Sequence, residues 1–175
     1  RIEAARVAKQ DPAVIEQAQA FEQKFPYSTR LASVYDALLE AFQATPATPA
    51  ETIAAAVDAR IRYQPDPAPY LLGANMLVAR NARLDKAIAL AEASIKASEV
   101  FINENLGSYK MSGKVQGALA RSRSAALDLV GWASFQKKDL ATATATLEEA
   151  ERLSRGQDFV NQVHLGELAR AKGDL

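Results

Sequence analysis

A chain of 175 residues is long enough for one domain that buries roughly 70% of its unfolded surface. Its 21 basic and 21 acidic residues balance, so no net field attracts nucleic acid or an anionic membrane. The absence of cysteine excludes disulfides and thiolate metal sites from these residues, and no apolar run approaches the roughly 20 residues of a membrane helix.

Apolar residues recur at helical spacing along the whole chain, and no segment alternates as a strand would. A capping residue followed by proline marks helix starts at Asp11, Thr48 and Asp66. The predicted helices cover about 12–25, 30–44, 49–64, 66 onward, 84–102, 114–137, 140–155 and 158–172, after a short one within 2–10. The sequence therefore predicts an all-α fold.

The stretch from Ser124 to Arg155 has the pattern of a tetratricopeptide repeat. Its small and large positions are filled by Leu127, Val130, Gly131, Ala143, Leu147 and Ala150, with a turn at 138–140. Ser134 departs from the pattern, because an aromatic residue is expected there. The small residues let two helix backbones approach closely.

The repeat recurs elsewhere at its usual period of about 34 residues. Gly73 follows Leu39 by 34 residues, Gly131 follows Gly73 by 58, which is 34 plus 24, and Gly166 follows Gly131 by 35. The predicted units are about 12–28, 32–65, 66–97, 124–157 and an incomplete 159–175. They predict one domain over 1–175, a right-handed α-solenoid of antiparallel helix pairs. Because the last unit lacks its second helix, we expect the native polypeptide to continue.

The 24 extra residues place an enlarged connection at about 98–120. Either the flanking helices are unusually long, or the segment folds over a face of the solenoid. Its apolar residues favour docking on its own chain over a disordered linker; they are Phe101, Ile102, Leu106, Tyr109 and Met111. A lid over a partner-binding surface is the alternative.

Three segments resemble the tetratricopeptide arrays of bacterial extracytoplasmic proteins that carry a thioredoxin-like thiol–disulfide oxidoreductase domain. They are Phe25-Pro26-Tyr27-Ser28, Leu84-Asp85-Lys86-Ala87 and residues 127–140, LDLVGWASFQKKDL. The resemblance implies a periplasmic or otherwise extracytoplasmic location. No Cys-x-x-Cys occurs here, so a redox site would lie outside these 175 residues.

The resemblance also implies which positions of each first helix face the concave groove. They fall on Ser33, Asp36, Glu40, Gln43 and Ala44; on Pro67, Tyr70, Ala74, Leu77 and Val78; on Ala125, Asp128, Trp132, Phe135 and Gln136; and on Val160, Val163, Glu167, Arg170 and Ala171. We expect four apolar anchors, with two charged residues setting polarity: Tyr70, Leu77, Trp132 and Phe135, then Asp128 and Arg170. Alternatively, Trp132 and Phe135 pack against the 98–120 segment or the adjacent helix.

These observations favour a non-enzymatic module that binds a peptide or partner domain in its groove. The alternative is an architectural arm of a multidomain thiol–disulfide oxidoreductase, which positions the redox domain or pairs two protomers. An enzyme site is disfavoured because no nucleophile, base and oxyanion donor converge. His164 is the only histidine, so we expect it to be structural, with no metal or cofactor site.

Overall fold

The structure, a computed structural model, describes residue 2, residues 11–105 and residues 112–173. All regular secondary structure in those ranges is helical, which confirms the all-α part of the predicted fold. The helices are α1 Asp11–Lys24, α2 Leu31–Ala44, α3 Ala50–Tyr63, α4 Pro67–Ala79, α5 Leu84–Asn105, α6 Gly113–Gln136, α7 Leu140–Ser154 and α8 Phe159–Lys172. None of them is both long and apolar enough to cross a membrane. Most of the short helix predicted within 2–10 lies outside the described residues.

The chain divides into two compact units, Arg1–Pro65 and Asp66–Leu175. In the first unit, α2 packs against both α1 and α3. Its largest fully buried side chains are Leu31, Leu39, Phe42, Ile53, Val14 and Val57. Arg60 of α3 is 5% exposed and its Nε donates to Asp36 Oδ1 of α2 at 2.6 Å, so this charge is buried with a partner.

The second unit contains α4 to α8, and each of these helices packs on the next. In addition, α4 contacts α6 and α6 contacts α8, which brings three alternate helices together. The core between them is aliphatic, with Met76, Leu77 and Leu147 at most 2% exposed. These contacts give α4, α6 and α8 one shared side, and the candidate site lies there.

Helices α6 and α7 approach each other closely at Gly131. A Cβ added to Gly131 of α6 would lie 2.6 Å from Leu147 Cγ of α7, so only glycine fits. Ser124 Oγ also donates to the Ala150 carbonyl at 2.8 Å, which joins the start of the repeat to the end of α7. The small positions of the predicted repeat therefore lie where α6 and α7 meet.

In the described residues, the enlarged connection consists of two long helices, in agreement with the first of the two alternatives. Helix α5 has 22 residues and α6 has 24, and Ser98 Oγ lies 3.2 Å from Ser122 Oγ between them. Residues 98–102 continue α5, and Phe101 in this helix is 44% exposed. Docking of the segment on its own chain stays a prediction. Leu106, Tyr109 and Met111 lie outside the described residues.

Candidate functional site

A groove of about 430 Å³ lies where α4, α6 and the start of α8 converge in the second unit. It is lined by Ala68, Leu71, Leu72 and Asn75 of α4, by Ala125, Asp128 and Leu129 of α6, and by Asp158 and Val160 at the start of α8. Six of these nine residues are aliphatic and three are polar. A concave, mostly apolar surface with a few polar groups is the usual composition of a binding site.

Asp128 is the buried carboxylate of the groove, with 5% of the residue exposed. His164 Nδ1 of α8 lies 2.9 and 3.0 Å from its two oxygens. Because an ionised carboxylate can only accept hydrogen bonds, Nδ1 carries a hydrogen in this pair. The neutral tautomer of His164 therefore keeps its lone pair on Nε2.

Asn161 completes the polar cluster from the interior of α8, where it is fully buried. Its Nδ2 donates to Asp128 Oδ1 at 3.0 Å and to the Leu147 carbonyl at 3.2 Å, so one amide joins α8 to both α6 and α7. A reversed amide would place its oxygen against the carboxylate, which fixes the orientation. Its Oδ1 has no hydrogen-bond partner among the described residues.

Three rings stack beside this cluster. Trp132 and His164 are parallel to within 8° with centroids 4.2 Å apart, and Trp132 and Phe135 are within 15° at 4.8 Å. Both Trp132 and Phe135 are half-buried. Thus Trp132 packs on helix α8, and neither Trp132 nor Phe135 is fully buried.

The other candidate residues lie in different environments. Tyr70 is half-buried on α4, and Arg170 is exposed on α8 and pairs with Glu167. Leu77, predicted to be a binding anchor, is 0% exposed and part of the aliphatic core. The six candidates therefore do not form one continuous surface.

The groove wall on α4 differs from the predicted one by about one residue. On α6 and α8 the expected positions Ala125, Asp128 and Val160 do line the groove. On α4 the wall is formed by Ala68, Leu71, Leu72 and Asn75 instead of Pro67, Tyr70, Ala74, Leu77 and Val78. One residue corresponds to a rotation of about 100° around the helix axis. Since α4 is apolar on nearly every side, its periodicity contained little signal for this rotation.

Asp158 and Asn161 were not among the candidate residues. Asp158 precedes α8 and accepts from the backbone N–H groups of Val160 and Asn161 at 3.0 and 3.3 Å. It has the sequence signature of an N-cap, which predicts its hydrogen bonds to the backbone but not its place in the groove.

The chain matches no protein-family model, no curated protein and no solved structure.

Proposed function

We propose that the chain is a non-catalytic interaction module that binds a peptide or a segment of a partner protein in the groove of its second unit. The observation that carries this proposal is the groove itself, about 430 Å³ with six aliphatic lining residues from three helices. Exposed apolar residues extend it along α8, where Val160 is 55% and Val163 is 45% exposed. Apolar surface of this kind commonly marks an interaction site.

We further propose that the second unit is a tetratricopeptide-like stack, in which α4/α5 and α6/α7 are successive helix pairs and α8 is the first helix of another. The contacts of each helix with the next, together with α4 on α6 and α6 on α8, support this assignment. In such a stack the first helices form one surface, and neighbouring pairs build a common core. The groove then lies on the surface made by first helices.

A selection of random 12-residue peptides displayed on phage, carried out against the whole chain, tests the function. Peptides that bind the wild type are measured against Ala125→Phe, which places a ring in the groove, and Ala145→Phe, which adds the same ring to the exposed face of α7. We expect the groove variant to lose at least about tenfold in affinity, a loss of about 1.4 kcal/mol, and the α7 variant to bind as the wild type does. Circular dichroism verifies that both variants fold.

Failure to obtain binders would overturn the proposal. Peptides that bind both variants equally would also overturn it, because their site would then lie elsewhere on the chain.

A further inference from the structure

Among the described residues that line the groove, two side chains are acidic and none is basic. Asp128 and Asp158 contribute two carboxylates, and the third polar lining residue, Asn75, is uncharged. The whole chain has no net charge, so the excess of negative charge is confined to the groove and does not reflect the charge of the whole chain. From this arrangement we infer that the groove selects a segment in which a lysine or arginine is flanked by aliphatic side chains; the inference rests on the function proposed above.

The hydrogen bonds of Asp158 reduce its negative charge only in part. Its Oδ1 accepts from two N–H groups at the start of α8. The N-terminus of a helix is equivalent to about half a positive charge, so about half of the carboxylate charge remains. A cation placed beside Asp158 is therefore attracted by it.

Asp128 retains charge as long as His164 is neutral, because Asn161 and a neutral imidazole donate hydrogen bonds without adding a positive charge. If His164 is protonated, the pair is neutral and Asp158 alone supplies the charge of the groove. In both protonation states the sum over the lining residues is negative. Because Asp128 is 5% exposed, its charge is poorly solvated, and a nearby cation stabilises it more than it would an exposed carboxylate.

The aliphatic wall determines the rest of the ligand. Leu71, Leu72 and Leu129 offer apolar surface on which the methylene stem of lysine or arginine can lie while its charged end reaches a carboxylate. Aliphatic neighbours in the ligand fill the remaining volume. An acidic segment of the same shape is repelled, so charge here selects between ligands as well as strengthening binding.

The peptides selected on phage provide the test. We expect them to be enriched in lysine or arginine next to leucine, isoleucine or valine. In synthetic copies, replacement of the basic residue by glutamine should weaken binding by about three- to tenfold, and replacement by glutamate by more. Raising the salt concentration should weaken the basic peptide and leave the glutamine copy nearly unchanged.

Asp158→Asn is the sharpest protein variant, because asparagine is as good an N-cap as aspartate but has no charge. We expect it to weaken the basic peptides by about threefold and to leave their glutamine copies unaffected. Asp139→Asn makes the same change at the N-cap of α7, outside the groove lining, and should leave both affinities unchanged.

Two kinds of failure are distinguishable. Peptides that lose affinity for Ala125→Phe but show no preference for basic residues, or that bind Asp158→Asn as they bind the wild type, overturn the charge selection and leave groove binding intact. Peptides that do not distinguish Ala125→Phe from the wild type overturn groove binding itself.

Discussion

Helices α6 and α8 each contain a glycine at the same position of the predicted repeat, 35 residues apart, and the two glycines lie in opposite environments. A Cβ on Gly131 of α6 would meet Leu147 Cγ at 2.6 Å and Thr146 Oγ1 at 2.7 Å. A Cβ on Gly166 of α8 would meet no atom within 4 Å. Glycine is thus a steric requirement in α6 and not in α8, although the predicted repeat gives both helices a glycine at the same position.

The side chains around these glycines differ in the same way. Val130 and Ser134 of α6 are 5% and 2% exposed, in a helix that packs against both α5 and α7. In α8, Phe159 is 75% exposed and Val163 is 45% exposed. The predicted repeat assigns the same position to residues of α6 and α8, whereas the burial of each residue determines how much it contributes to stability.

Of the changes considered, removal of the Leu147 side chain that contacts Gly131 should have the largest effect on stability. We expect Leu147→Ala to lower the free energy of unfolding of the second unit by about 2–5 kcal/mol, because Leu147 is fully buried and its loss leaves a cavity. Urea denaturation followed by Trp132, the only tryptophan, measures this unit. Leu140→Ala, at a 36% exposed leucine of the same helix, is the control and should cost much less. Similar losses for the two variants would contradict the assignment of Leu147 to the contact.

The two glycines themselves should respond to alanine with opposite signs. Gly131→Ala should destabilise the second unit by about 1–3 kcal/mol, because the neighbouring Leu147 is buried and cannot yield without disturbing the core. Gly166→Ala should stabilise it by up to about 1 kcal/mol, because alanine is the better helix former and the added methyl meets open space. The same urea titrations measure both. If both changes were destabilising, the open face of α8 would have to be covered in solution.

The positions of the helices could be predicted from the sequence because apolar spacing and proline-marked starts are local signals. The 24 extra residues also predicted, as one of two alternatives, that the helices flanking them are unusually long, as α5 and α6 are. The docking of Phe101 could not be judged in this way, because whether a helix face is covered depends on residues distant in sequence.

The candidate site was predictable only in part for the same reason. Asp128 and Val160 were assigned to the groove through the repeat, and both line it. In the Asp128–Asn161–His164 cluster, Asn161 and His164 lie 33 and 36 positions after Asp128 in the sequence. The cluster therefore arises only when α8 packs against α6. The burial of Leu77 could not be read from the sequence because α4 is apolar on nearly all sides, so that its rotation is set by packing and not by periodicity.

The smallest expected effect concerns the start of the covering helix α7, where Asp139 caps the first turn. Its carboxylate accepts from the Thr142 hydroxyl at 2.7 Å and from the Thr142 N–H at 3.1 Å, and these bonds, the hydroxyl bond foremost, lower the pKa of Asp139. A lowered pKa in the folded state means that the stabilisation is present above the ordinary aspartate pKa of about 3.9 and is lost as the pH falls through the lowered value. We therefore expect the stability difference between wild type and Asp139→Asn to be constant near neutral pH and to shift in acid, where the wild type loses stability relative to the variant.

Thr142→Val, which removes the hydroxyl, should show a stability that depends less steeply on pH in acid than that of the wild type. Melting temperatures recorded from neutral pH into acid measure both, and a difference that did not vary with pH would exclude a role for the Asp139 charge in holding the first turn of α7 over α6.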